Sequence, residues 1–267
     1  MPPVNSIVCV KPVPDPRHWS ELVVDPATKT LRREGIPSVL NPLDKHALEE
    51  ALRIKERLGG TVTAISMAPL TATESLREAI AIGADDAVLL SDRSFAGADT
   101  LATSYVLAAA IKKLGKFDLI LCGNQSLDGG TGQVGPEIAE FLGVSHVTYA
   151  RKIEILERGI VRVERALEYG YMVIEARMPL VLSVVKEINV PRHVSLMRIS
   201  EAMQTEVRVW TSRDLDLDSS RIGLSGSPTQ VADLFLPVMK RRGEMMSGAP
   251  DAVSKLLIQR LRELGVL

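Results

Sequence analysis

The residues best placed for chemistry are Asp128, Gly129, Gly130, Thr131, Gly132, Gln133 and Val134. They come after an apolar run, Leu119 to Cys122, and open a stretch in which Val134, Ile138 and Phe141 or Leu142 recur at helical spacing. Strand, glycine loop and helix start together make an anion site. The first backbone N–H groups of a helix have no partner within it, and the helix dipole favours negative charge there. Glycines let the backbone come close to a ligand. A nucleotide phosphate is the expected occupant. Gly130 to Gly135 also matches the dinucleotide spacing G-x-G-x-x-G. In that motif, however, the first glycine sits at the strand's end, whereas here Asn124 to Asp128 intervene and Pro136 comes directly after. No Gly-Lys-Ser/Thr is present in the loop, which excludes a P-loop. The plain alternative is a glycine turn that only starts a helix, but such a turn does not need Asp128, Thr131 and Gln133.

Other chemistries find little support. His18, His46, His146 and His193 have no metal-ligand spacing, and no G-x-S-x-G nucleophile motif is present. Asp214, Asp216 and Asp218 alternate, but without the glycine and terminal glutamate of a calcium loop, so they read as a solvated loop. A net charge of −1 provides no field for nucleic acid, and four Phe, four Tyr and two Trp leave few platforms for stacking bases. Cys9 and Cys122 each fall inside an apolar strand and read as core thiols of a reducing compartment. No apolar run approaches the roughly 18 residues of a membrane span. The opening MPPVNSIVCVKP reads as a first strand, and the expected location is cytoplasmic.

Strands and helices must position the loop. Ile7 to Val10 is a strand, and Glu21 to Arg33 reads as a hairpin turning at Asp25-Pro26. Asn41 suits an N-cap, and Pro42 suits the first position of a helix that buries Ala47, Ala51, Ile54 and Leu58 and ends at Gly59-Gly60. Next come a strand (Val62 to Met67), a helix (Thr73 to Ile82), a strand (Ala87 to Leu90) and a helix capped by Asp99 that ends before Gly115. Alternating strands and helices imply an α/β fold, a doubly wound and mainly parallel sheet covered on both faces. In such sheets ligands bind beyond the carboxyl ends of the strands. Val8 to Lys11, Met67 to Pro69, Gly123 to Gln133 and the Asn41-Pro42 helix start converge on that edge. After Thr148 the period becomes 2, giving a β extension through Leu180 to Val185. Lys186 to Gln204 reads as irregular, Val207 to Trp210 as a strand, Ser212 to Gln230 as a polar loop, and Ala252 to Leu264 as an amphipathic helix. Lys240 to Arg242 form a small basic patch. The expected division is a nucleotide-binding domain over 1–185 and an arm over 186–267.

Over nearly its whole length the chain resembles the β subunit of electron-transfer flavoprotein. The likeness runs through SIVCVKPVPD, LNPLDKHALEEALRIKE, AISMAP, EAIAIGADDAVLL, DLILCGNQSLDGGTGQVGPEIAEFLG and VERALEYGYMVIEARMPLVLSVVKEINVPR, in that order and spacing. The resemblance implies a heterodimer with an α subunit that carries its own FAD, a C-terminal arm around that subunit, and electron transfer between flavin dehydrogenases and other acceptors. It also implies an adenine nucleotide held by Cys9, Asn41, Pro42, Leu43, Asp44, Met67 and the run from Asp128 to Val134. In that site backbone amides near Cys9 and Met67 would read adenine, Asp44 would accept a ribose hydroxyl, and Thr131 with the Gly129, Gly130 and Gly132 amides would hold phosphate. In conventional members this nucleotide is AMP; in electron-bifurcating members it is a second FAD that takes electrons from NADH. The loop from Gln125 to Pro136 is more similar to the bifurcating type, although Gly130 stands where those relatives tend to have Asp, so FAD is favoured and AMP is the alternative. Val190 to Ile199 resembles the loop that docks on acyl-CoA-type flavin dehydrogenases, with Leu196 at its anchoring leucine and Arg192 and Met197 beside it. The family often has lysines just after that loop, where this chain reads Ser200 to Gln204. With no group of its own for bond chemistry, the chain would owe any redox activity to a flavin. The competing reading is a stand-alone nucleotide-binding α/β protein without redox function.

Overall fold

A computed structural model describes residues 2–21, 23–24, 31–32, 35–232 and 243–267. The chain divides into two compact units, Met1–Ala232 and Asp233–Leu267. In the first unit the elements run in the order β1 (Ser6–Cys9), β2 (Pro12–Pro14), β3 (Val23–Val24), β4 (Leu31–Arg32), β5 (Ser38–Leu40), α1 (Pro42–Leu58), β6 (Val62–Met67), α2 (Thr73–Ile82) and β7 (Asp86–Leu90). They continue with α3 (Thr100–Leu114), β8 (Leu119–Gly123), α4 (Val134–Leu142), β9 (Ser145–Ile155), β10 (Ile160–Leu167), β11 (Gly170–Arg177), β12 (Leu180–Val184), α5 (Leu196–Gln204) and β13 (Arg208–Trp210). Local chemistry sets the helix ends. Pro42 takes the first turn of α1, Gly59 ends it at φ 77° with its N–H on the Lys55 carbonyl, and the Asp99 side chain accepts from the Ala102 N–H to cap α3.

Nine strands form one sheet in the order β11-β10-β9-β12-β8-β1-β6-β7-β13. From β9 to β13 every neighbouring pair is parallel; β9, β10 and β11 are antiparallel. The side-chain period of 2 splits β1 between two cores. Val8 and Val10 join Ala47, Ala51 and Ile54 of α1 and Leu76 of α2, while Ile7 and Cys9 join Val106 and Ile111 of α3 and Ile138 of α4. Helices therefore cover both faces, and the sheet is doubly wound as expected. The winding reverses between β1 and β8, which opens a crevice at their carboxyl ends.

Two features depart from the sequence reading. The strand assigned to the β extension, now β12, lies inside the parallel sheet between β8 and β9; only β10 and β11 extend it. All five residues of β12 are buried, which suits a central strand better than an outlying one. The stretch Lys186 to Gln204, expected to be irregular, contains α5, capped by the Ser195 side chain accepting from the Arg198 N–H. Residues 186–232 return to the first unit, where β13 closes the sheet edge beside β7. The short pair β3–β4 is antiparallel, as a hairpin requires. The turn expected at Asp25-Pro26 and the basic patch Lys240 to Arg242 lie outside the described residues. The second unit carries α6 (Pro250–Glu263), which starts with Pro250 in its first turn and has no buried residue; Arg260 binds Glu244 at 2.9 Å.

One glycine lets α1 approach the sheet. A Cβ on Gly123, the last residue of β8, would lie 2.6 Å from Asp44 Oδ1 and 2.7 Å from Leu43 Cβ. We expect Gly123→Ala to destabilise the protein by about 1–3 kcal/mol, the usual cost of overpacking, seen as a lower urea midpoint. An unchanged midpoint would mean that α1 is not wedged against β8.

Candidate functional site

The first turn of α1 organises the crevice. Asp44 is buried, and its carboxylate bridges the two strands that part there: Oδ2 accepts from the Lys11 N–H at 2.8 Å and Oδ1 from the Gly123 N–H at 2.9 Å. Asn41 anchors the chain on both sides of the crevice. Its N–H donates to the Lys11 carbonyl at 2.8 Å, its Nδ2 donates to the Gln125 carbonyl at 2.9 Å, and its Oδ1 accepts from the Leu127 N–H at 3.2 Å. The N-cap role expected of the Asn41 side chain is therefore not realised, because that amide is committed to the glycine loop and makes no capping bond. Pro42 and Leu43 lie between these two anchors.

The loop between β8 and α4 is built on a small turn. Gly129 N–H donates to Ser126 Oγ at 3.3 Å, and Gly130 N–H donates to the Ser126 carbonyl at 2.8 Å. These two amides, assigned to phosphate from the sequence, are thus already bonded. The next five, from Thr131 to Gly135, meet no hydrogen-bond acceptor among the described residues. They lead into α4, whose first internal bond is Glu137 N–H to the Gln133 carbonyl, and Pro136 has no N–H to offer. Gly132 has φ 65°, and Gly130, at φ 62°, has open space where a Cβ would stand. Gly135 packs so tightly that a Cβ would come within 3.0 Å of Cys122 Sγ. The Gln133 side chain turns toward α3, where its Oε1 accepts from the Thr100 hydroxyl at 3.3 Å.

One residue that the sequence places on this edge without a role there gains one in the structure. Lys11 leaves the end of β1 and places Nζ 2.7 Å from Asp128 Oδ1 and 3.4 Å from Ser126 Oγ. A cation therefore stands over the glycine loop although the loop contains none. Its only sequence signal is its place directly after an apolar strand that ends on the switch-point edge.

Electrostatics separate the groups. Burial pushes Asp44 up to about 6, against the pull of the Lys11 and Gly123 amides, the Asn41 side chain and the Lys11 charge. Burial, and then the Asp44 charge, lift Cys9 to about 12; Cys122 is raised by burial, Cys9 and Asp44. Both are free, buried cysteines, as read from the sequence, and their thiols stay protonated at neutral pH. Met67 is half-buried at the end of β6, beside the core that holds Cys9. The amides after these two residues are bonded, Val10 N–H to the Ile65 carbonyl and Ala68 N–H to the Leu90 carbonyl.

The residues proposed for docking lie elsewhere in the unit. Leu196 and Met197 begin α5 and are 85% and 72% exposed, so they do not cover the protein's own core. Arg192 turns toward α1, with Nε 2.7 Å from Glu49 Oε2 and Nη1 2.6 Å from Glu56 Oε1.

A doubly wound sheet with a glycine loop at its switch point places the chain among the open α/β proteins. Comparison with known proteins narrows the class. The model of the electron transfer flavoprotein domain matches residues 28–215. The chain is 49% identical over 265 residues to the electron transfer flavoprotein subunit beta of Thermoanaerobacterium thermosaccharolyticum, covering 99% of this chain and 100% of that one. It is 46% identical to the caffeyl-CoA reductase-Etf complex subunit CarD of Acetobacterium woodii, covering 99% and 100%, and 40% identical to protein FixA of Bradyrhizobium diazoefficiens, covering 95% and 90%. The chain belongs to the electron transfer flavoprotein β-subunit family. Among the described residues no helix is long and apolar enough to cross a membrane.

Asp44 generates a pH prediction. Its pKa is raised on folding, so the folded chain binds the proton more tightly than the unfolded one. Its contribution to stability is full below about 3.8 and is lost as pH rises through about 6. Asp44→Asn removes that titration. The stability difference between wild type and variant should shrink by roughly 1–3 kcal/mol between pH 4 and pH 7, read from urea midpoints. A pH-independent difference would show that Asp44 keeps an ordinary pKa.

Proposed function

We propose that this chain is the β subunit of a heterodimeric electron-transfer flavoprotein. It binds an adenine nucleotide at the β1/β8 crevice and passes electrons between flavin dehydrogenases and other acceptors. The observation that carries the nucleotide reading is the run of five amides from Thr131 to Gly135, leading into α4, that meet no acceptor among the described residues, with the Lys11 ammonium over the same loop. Amides aimed at one place by a helix start, with a nearby cation, suit a phosphate.

The residues present fit such a group. Phosphate would rest on the Thr131–Gly135 amides and the Thr131 hydroxyl, with Asp128 to Gly130 as the rim. Adenine and ribose would lie toward Cys9, Met67 and the α1 start at Asn41, Pro42, Leu43 and Asp44. FAD is favoured over AMP, because small residues at 129, 130 and 132 and the open space at Gly130 leave room for a dinucleotide. The bound flavin would supply the electron-carrying ring, with NADH as a donor, and AMP in its place would make the site structural. The chain's own groups bind and orient. Asp44 and Asn41 fix the strand ends, and the protonated thiols of Cys9 and Cys122 take no part in the redox step. A further FAD would belong mainly to the α subunit. The exposed Leu196 and Met197 fit an apolar pocket on a dehydrogenase.

Two substitutions test the two halves of this reading. Lys11→Met should lower the nucleotide retained by the αβ complex after extensive dialysis, with affinity falling about 10-fold for the lost charged contact, and Lys11→Arg should restore part of it. Full retention in Lys11→Met would remove Lys11 from the site. Leu196→Ala should raise the KM for a flavin acyl-CoA dehydrogenase about 10-fold, as expected for one lost apolar anchor, with nucleotide content unchanged. Unaltered exchange kinetics would end the docking role of Leu196.

A further inference from the structure

The segment leading into α5 is fastened to α1 more heavily than its exposure warrants. Asn189 is buried, and its Nδ2 donates to the His46 carbonyl at 2.9 Å and to Glu50 Oε2 at 3.1 Å, while its Oδ1 lies 3.0 Å from His46 Nδ1. Oδ1 can only accept, so His46 carries its proton on Nδ1. Three residues on, Arg192 donates its backbone N–H to Glu49 Oε2 at 3.2 Å and its side chain to Glu49 and Glu56. Arg53 closes the network, donating to Glu49 Oε1 at 2.7 Å and to the Val190 carbonyl at 3.3 Å. Glu49 is itself buried. Burial pushes its carboxyl up, but Arg192 and Arg53 outweigh that and hold it below the usual range.

A buried carboxylate on a helix flank is costly unless it is paired, and nothing in the sheet core requires this one. The network holds the entry to a short helix that buries only Ala202 and exposes Leu196, Met197, Ile199 and Met203. The fastening starts at His46, two residues beyond Asp44, on the helix whose first turn sets the crevice. We propose that Asn189 and Arg192 are positioning residues that latch the docking segment to α1, fixing Leu196 and Met197 relative to the crevice. This rests on the docking role proposed for α5. It also reassigns Arg192: its guanidinium faces α1 rather than a partner.

The test uses the whole αβ complex and three variants, Asn189→Ala, Arg192→Ala and Arg192→Lys. Amide hydrogen exchange over 190–204 should speed up about 10-fold or more in the two alanine variants, with exchange over 41–44 and nucleotide content unchanged. With a flavin acyl-CoA dehydrogenase as probe, KM should rise several-fold while kcat holds. Arg192→Lys, which keeps one ion pair, should recover part of both effects. Unchanged exchange over 190–204 overturns the latch. Faster exchange with unchanged KM overturns its positioning role. The docking reading fails separately if Leu196→Ala leaves KM unchanged, and the exchange measurement still decides whether the latch exists.

Discussion

The structure depends on one buried carboxylate. Where the winding of a parallel sheet reverses, two neighbouring strands send their chains to opposite faces, and their last amides lose ladder partners. Asp44 takes both, accepting from Lys11 just past β1 and from Gly123 at the end of β8. A carboxylate offers two acceptor oxygens at a fixed spacing, which a single hydroxyl does not. Its burial is unfavourable for a charge, as its raised pKa reports, and the two backbone bonds offset that cost. Asn41, one turn earlier, extends the same fixation to the glycine loop. Edge, loop and helix start are thus set by two side chains of one turn, and the amides from Thr131 to Gly135 meet no acceptor among the described residues.

The same helix serves a second surface. Along α1, the positions facing the sheet are Ala47, Ala51 and Ile54, small or branched residues that allow close approach. The adjoining flank carries His46, Glu49, Glu50 and Arg53, which hold 189–192. One 17-residue helix therefore carries the strand clamp at its start and the latch along its side. Under the proposed docking role such a mount would limit the distance and orientation between bound groups, on which electron transfer depends.

Much of this was legible in the sequence. From Ile7 to Leu142 the apolar periods alternate cleanly between 2 and 3.6, and Gly59, Gly83, Asp99 and Gly115 punctuate them, so strands, helices and the switch-point edge emerge from local patterns. The Asn41-Pro42 helix start and the glycine loop emerge from motif and topology, whereas Asp44 enters through the family resemblance. The features that were not legible depend on long-range contacts. Nothing in LVLSV says that it lies between β8 and β9 rather than after β11. The α5 helix does carry Leu196, Ile199 and Met203 at helical spacing, but it is only nine residues long and that stripe is exposed, so the signal is short and no core packing reinforces it. Lys11 meets Asp128 across 117 positions and Asn189 meets His46 across 143, so their roles came from the fold alone. Asn41 starts α1 as expected but does not cap it with its side chain, because a loop more than eighty residues away competes successfully for that amide.

The central claim is that the crevice between β1 and β8 holds an adenine nucleotide. The most direct test is to purify the complex with its α subunit, release the bound nucleotides with acid, and count FAD and AMP per heterodimer by chromatography. The account predicts one adenine nucleotide beyond the α-subunit flavin, giving two FAD and no AMP if the loop takes the dinucleotide it favours. One FAD and one AMP would keep the site and correct its occupant. One FAD and no second adenine nucleotide would contradict the account.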